Sequence, residues 1–244
     1  MLEHLRLLNR LAYGLYGIWF WAVFISLSLL TLCLVALIPG QHRCRCVARA
    51  SAILLLRLTG SWPTVSGLHL LPDKASVIVA NHASYLDGIL LTAVLPPRYR
   101  YVIKREITQV PLVGFFLRRI GAHFVDRSDP KRGAADARRI IQTANNGASL
   151  AFFPEGTFLR EPGLRRFHNG AFTIATRSNL PLVPLTIRGT RKMLPAHQWL
   201  ARPGHLAVII GEPLETSNNM DASTAREYCR KQILLALNEP DLQA

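Results

Sequence analysis

His82 and Asp87 carry side chains that together can manage a proton. A carboxylate touching one imidazole nitrogen fixes the tautomer and raises the basicity of the other nitrogen. The result is a general base that needs no nucleophile on the protein. The spacing sets a condition, because five residues along one continuous helix would separate the two side chains by about 140°. They meet only if the chain turns between them, and Ala83-Ser84-Tyr85 allows a turn. Ser84 is read as the base's neighbour rather than as a nucleophile. A plainer reading makes His82 structural and Asp87 a helix cap. With eight His and 15 Asp plus Glu in the chain, such a pair is expected by chance roughly once or less. Spacing alone therefore does not decide between the two readings.

The elements around the pair narrow the choice. Residues 76–80 (SVIVA) read as a buried strand that puts His82 at its carboxyl end, where ligands of open α/β sheets bind. Further strands are expected at 100–103, 122–126, 149–153, 182–187 and 206–210. Helices are expected at 88–95, 111–120 with Pro at its first turn, 130–143, 169–177 and 223–237. Ser223 or Thr224 is the expected cap of the last one. This alternation implies an α/β fold with a mixed, largely parallel sheet covered by helices.

The N-terminal region is different. Residues from about 17 to 38 form an uncharged apolar run, with Tyr13, Tyr16, Trp19 and Trp21 clustered at its start as candidate interfacial anchors. Its length suits a hydrocarbon core of about 30 Å. It exceeds the roughly 7–15 apolar residues of a signal peptide. Residues 1–60 are therefore expected to anchor the protein, and 61–244 to form the catalytic unit. Residues 51–58 (SAILLLRL) are a second, shorter apolar stretch, so a re-entrant hairpin is the competing arrangement. Half of the 244 residues are apolar and 18% are charged, with a formal net charge of +14. Such a charge attracts polyanions: nucleic acid, anionic lipid surfaces or phosphorylated substrates. Arg43, Arg45 and Arg49 after the apolar run favour a cytoplasmic domain. Cys33, Cys44, Cys46 and Cys229 lack a zinc spacing and read as structural thiols.

Four blocks follow one another in order: Asn81-His82-Ala83-Ser84-Tyr85-Leu86-Asp87-Gly88; Lys104-Arg105-Glu106 through Pro111-Leu112-Val113-Gly114 to Asp126-Arg127; Phe153-Pro154-Glu155-Gly156-Thr157-Phe158-Leu159-Arg160 with Phe167-His168-Asn169-Gly170; and Leu180-Pro181-Leu182-Val183-Pro184. Together they resemble the glycerophospholipid acyltransferase family, the PlsC-like 1-acyl-sn-glycerol-3-phosphate acyltransferases, over about residues 76–213. The resemblance implies an acyltransferase that moves a fatty acyl group from acyl-CoA or acyl-carrier protein to the free hydroxyl of lysophosphatidic acid or a related lysolipid. His82 would be the base and Asp87 its orienting partner. Lys104 and Arg127 would hold the acceptor phosphate, and Glu155, Gly156 and Thr157 would shape the same pocket. It implies no metal and no cofactor beyond the thioester co-substrate. The partners would be lipid and membrane rather than nucleic acid, with the domain at the cytoplasmic face of a bacterial inner membrane.

One departure stands out. The family often carries Arg directly after E-G-T, whereas this chain has Phe158, with Arg160 two residues on. Either Arg160 substitutes from a different turn or the head-group pocket differs. Acyl transfer to another lysolipid, such as lyso-ornithine lipid, therefore stays open. So does a non-enzymatic basic protein that binds anionic lipid.

Overall fold

A computed structural model describes residues 2–126, 129–217 and 219–243. In chain order the elements are α1 (Leu2–Leu37), α2 (Gln41–Leu58), β1 (Thr64–Ser66), β2 (Val77–Ala80), α3 (Leu86–Val94), β3 (Tyr99–Lys104), α4 (Pro111–Arg119), β4 (His123–Val125), α5 (Pro130–Asn145), β5 (Ser149–Phe152), α6 (Gly170–Arg177), β6 (Leu182–Arg188), α7 (Thr190–Met193), β7 (Ala207–Ile210) and α8 (Ala222–Leu237). The strands form one seven-stranded sheet, ordered β1-β7-β6-β2-β5-β3-β4. Among the described strands only the β6–β7 pairing is antiparallel.

Strands buried on both faces read as continuous apolar runs, and β2 (VIVA) is buried at every position. Its residues alternate between two cores, because successive strand side chains point to opposite faces. Ile78 and Ala80 join α2 and α3 residues such as Ala52, Leu56, Leu90 and Leu91. Val77 and Val79 join Ile140 of α5, Phe172 of α6 and Cys229 and Ile233 of α8. The fold is thus the expected mixed, mostly parallel sheet between two layers of helices. Because β2, β5, β3 and β4 are parallel neighbours, Asn81-His82, Phe153-Pro154-Glu155, Lys104 and Asp126 all leave the same edge.

The apolar N-terminal run is one helix. Its 28-residue stretch Arg10–Leu37 is long and apolar enough to cross a membrane, and most of it is exposed. The chain reverses at Gly40, whose φ of 87° suits a residue without Cβ, and α2 returns alongside α1. Arg119 donates to the carbonyls of Val35 and Ile38, satisfying the carbonyl end of α1.

Residues 51–58 are the second half of α2, an 18-residue helix that buries Cys44, Ala48, Ala52, Leu55 and Leu56. That helix pairs with α1 as a hairpin and packs on α3. The expected break at residue 60 falls just after α2, and the apolar core continues across it, since Phe20 of α1 lies in the α2–α3–sheet core. The cap of α8 also differs from expectation. Asp221 occupies the N-cap position, and the Ser223 hydroxyl donates to its carboxylate.

Phe20 is almost wholly buried, so Phe20→Ala should lower stability by about 3–5 kcal/mol, the usual range for emptying such a site. Chemical unfolding in detergent measures it. An unchanged midpoint would mean that α1 merely rests on the domain.

Candidate active site

The site is assembled where β2 ends. The Asn81 amide continues the ladder that its strand abandons: Nδ2 donates to the Ile187 carbonyl at 2.9 Å, and Oδ1 accepts the Ile187 N–H at 2.7 Å. This ties the residue before His82 to β6. The His82 N–H donates to Glu155 Oε1 at 2.6 Å, which ties His82 itself to the loop after β5.

Asp87 sits in the first turn of α3 with its side chain folded back. Its Oδ2 accepts the backbone N–H groups of Ala83 (2.6 Å) and Ser84 (2.8 Å). It also lies 2.8 Å from Nδ1 of His82. The turn between the two residues is therefore real, and the pair meets. Oδ2 already accepts two peptide N–H groups, so it faces the His82 ring as an acceptor. The proton of a neutral His82 therefore belongs on Nδ1, leaving Nε2 with a lone pair. Ser84 is fully buried and occupied: its Oγ donates to the Leu194 carbonyl and accepts the Leu86 N–H.

The imidazole is held on its faces as well. It stacks on Phe153 (centroids 4.3 Å apart, 20° between planes) and meets Phe158 nearly edge-on at 4.5 Å. Phe158 in turn packs edge-on against Tyr85 at 4.8 Å. Phe158, at the position where the family often has arginine, is thus part of the wall around His82. The chain folds into this wall through a turn in which Gly156, at a φ of 76°, donates to the Phe153 carbonyl.

Glu155 is buried and grips backbone on both sides, with Oε2 accepting the Arg165 N–H at 2.9 Å. It touches the peptide of His82 rather than its ring. Burial raises its pKa to about 7. The donations from His82 and Arg165, and the charges of His82 and Arg191, oppose that rise.

The expected phosphate ligands are less converged. Continuing the strand registers puts Lys104 level with Asn81, two strands or about 10 Å away. Its ammonium pairs with Glu106 at 3.1 Å. Thr157 and Arg160 are exposed. Arg160 makes no hydrogen bond or ion pair among the described residues. Arg127 lies outside the described residues. Its neighbour Asp126 donates its N–H to Asp136 at 3.0 Å, and Asp136 takes both its oxygens to Arg105. Sequence reasoning gave no role to Asn81, Tyr85 or Phe153. The signal for Asn81 was present, since an amide directly after a buried strand can substitute for backbone partners.

Residues 63–188 match the model of the Acyltransferase family. The chain belongs to that family. All four sequence blocks fall within the matched span. A 1-acyl-sn-glycerol-3-phosphate acyltransferase of Bacillus subtilis is 32% identical over 167 residues, 68% of this chain and 79% of the relative. A chloroplastic 1-acyl-sn-glycerol-3-phosphate acyltransferase of Brassica napus is 35% identical over 177 residues, 71% of this chain. The chain spans about half the length of the plant relatives it matches, 50% for Brassica napus and 44% for Arabidopsis thaliana. The crystal structure of the 1-acyl-sn-glycerophosphate acyltransferase PlsC from Thermotoga maritima aligns with a TM-score of 0.77. It covers 93% of this chain and 95% of its own at 21% identity, which establishes the shared fold.

The Glu155 shift makes stability pH-dependent. Its folded pKa, about 7, lies above the unfolded value of 4.5. Its contribution is therefore complete below about pH 4.5 and lost as pH rises through 7, a swing of roughly 3 kcal/mol. Glu155→Gln should flatten this part of the profile of melting temperature against pH between 5 and 8. Parallel profiles for the two proteins would show that Glu155 does not titrate in this range.

Proposed function

We propose that this protein transfers a fatty acyl group from acyl-CoA or acyl-carrier protein to the free hydroxyl of 1-acyl-sn-glycerol-3-phosphate, giving phosphatidic acid. The observation that carries the reading is His82 Nδ1 at 2.8 Å from a buried Asp87 carboxylate, in a chain of the Acyltransferase family. The Bacillus subtilis and Brassica napus relatives are named as 1-acyl-sn-glycerol-3-phosphate acyltransferases, which supports this acceptor.

In this reaction His82 Nε2 takes the proton of the acceptor hydroxyl. The alkoxide oxygen bonds to the thioester carbonyl carbon, and the tetrahedral intermediate collapses with cleavage of the C–S bond. The imidazolium returns its proton to the departing thiolate. Asp87 holds the ring and stabilises its charged form. No cofactor enters beyond the thioester. Lys104, Arg127 and Arg160 are the proposed phosphate-side cations, with the Glu155-Gly156-Thr157 turn as pocket wall. The exposed face of α1 is the proposed membrane anchor, with the basic domain held against the anionic cytoplasmic leaflet of a bacterial inner membrane.

A second reading keeps this chemistry and changes the acceptor. It rests on Phe158, whose ring fills space beside His82 and Tyr85 and can offer a phosphate nothing. A lysolipid with a larger or less anionic head group then fits better.

His82→Ala should lower turnover by about 10²- to 10⁴-fold, the range for losing a general base, with acceptor binding retained. Asp87→Asn should fall in the same range, because the amide no longer enforces the tautomer. Near wild-type turnover of purified His82→Ala would sink the mechanism. The acceptor is read from a second pair of variants assayed on a lysolipid panel. Arg127→Ala and Arg160→Ala should each lower kcat/KM for lysophosphatidic acid by about 10- to 150-fold, the worth of one charge-assisted contact. If Arg160→Ala is silent on lysophosphatidic acid, Arg160 is a surface residue. The second reading then gains.

A further inference from the structure

The four tryptophans of this chain are far apart in sequence, at positions 19, 21, 62 and 199. They converge at one end of the α1–α2 hairpin. Trp19 donates its indole N–H to the Leu58 carbonyl at the close of α2. Trp62, four residues past α2, lies under the Arg57 guanidinium at 5.3 Å. Trp21 donates to the Trp199 carbonyl, and the two rings are 6.2 Å apart. Gly17 on α1 leaves the space that Leu200 occupies.

Three of these rings face outward: Trp19 is 51% exposed, Trp62 45% and Trp199 77%. Leu15, Ile18, Leu58 and Leu200 are exposed around them. The patch continues into the free apolar stripe of α1 through Ile25, Leu29 and Leu30. Arg57, whose guanidinium lies over Trp62, is exposed, as are Arg10 on α1 and Lys192 and Arg202 in the chain around Trp199. Exposed indoles beside an apolar stripe and basic side chains match the level of phospholipid head groups, where an indole keeps its ring in lipid and its N–H near polar groups.

The stretch that presents Trp199 belongs to the catalytic domain and is firmly held. Ala196 and Ala201 on either side are buried, and Arg202 donates its N–H to the Met193 carbonyl at 2.9 Å. The same stretch reaches the catalytic loop, because Ser84 Oγ donates to the Leu194 carbonyl at 2.7 Å.

We propose that residues 194–202 form a second membrane contact of the catalytic domain, seating Trp199 and Leu200 in the head-group region of an anionic phospholipid leaflet beside Trp19 and Trp62. This contact fixes the height of the His82 loop above the lipid. The proposal rests on the reading of α1 as a membrane anchor.

The test uses the full chain in vesicles of phosphatidylcholine and phosphatidylglycerol, some carrying bromine on acyl carbons close to the head group. A variant keeping Trp199 as its sole indole (W19F, W21F, W62F) should lose fluorescence in the brominated vesicles. A variant keeping Trp19 alone is the reference for the anchor. Quenching of Trp19 with Trp199 unquenched overturns the proposal and leaves the anchor standing. This includes the case in which Trp199 is instead shielded from iodide by added acyl-carrier protein. Absence of quenching at both positions, with a protein that does not float with vesicles, overturns the anchor and the proposal together. In a second measurement, the double variant W199E/L200E should partition into vesicles about tenfold more weakly, the factor that about 1.4 kcal/mol carries. Its turnover on detergent-dispersed substrate should match wild type. Unchanged partitioning would also overturn the proposal.

Discussion

Asp87 Oδ2 takes two backbone N–H groups and the imidazole of His82 within 2.8 Å. Three donors on one oxygen leave the 82–87 segment a single way to run. The carboxylate folds back over the start of α3, the peptides of Ala83 and Ser84 turn inward, and the ring is drawn onto the acid. The second oxygen, Oδ1, is buried without a partner among the described residues. Burying half a carboxylate in this way is unfavourable by itself, so the other half must carry the compensation. The same donors that repay the burial also aim the histidine. Removing any one of them loosens both the loop and the base.

That loop would still drift if the strand end beneath it moved. Two side chains prevent this by bonding to backbone rather than to other side chains. Asn81 ties the end of β2 to β6 on one side. Glu155 ties His82 to the turn after β5 on the other and reaches on to Arg165. Three adjacent central strands are thus stapled around one imidazole. Phe153 and Phe158 then fix the ring's faces, so its orientation is set by hydrogen bonds in plane and by packing out of plane.

The sheet and its helices were legible because buried strands and amphipathic helices write their periods directly into apolar residues. VIVA, SLAF and LVPLTI declare themselves, and so does a histidine placed at the end of the first. What escaped was written in other ways. In the first part of α2 the buried apolar residues are small, Cys44, Ala48 and Ala52, interleaved with Arg43, Arg45 and Arg49. Arg45 looks like a solvated cation in sequence, yet it is nearly buried because carbonyls of Pro97 and Ile120 accept its donors. Strand β1 has three residues, too few to show a period. The Lys104–Glu106 pair forms where the strand gives way to a 3₁₀ turn at Arg105–Gln109, and two-residue spacing alone does not predict that geometry. The contacts of Phe158 with His82 and Tyr85 depend on a loop path that local sequence does not encode.

Phe158 has a consequence for the proposed chemistry. In the proposed acyl transfer His82 would become an imidazolium. An arginine against it would oppose that charge, whereas an aromatic ring attracts a cation at its face by about 0.5–2 kcal/mol, depending on desolvation. Phe153 already stacks on the ring, and Phe158 adds a second apolar neighbour that keeps the dielectric low. The attraction between imidazolium and Asp87 gains from this. Phe158 also supplies no cation on the proposed acceptor side, and among the described residues the proposed phosphate cations Lys104 and Arg160 stand apart from the His82–Asp87 pair. The residues around His82 thus favour the base, and the head group is left to the periphery. On the proposed assignment the proton transfer and the choice of acceptor are set by separate groups, and substitutions at the carboxyl end of β3, such as at Lys104, would change the acceptor without disturbing the proton transfer.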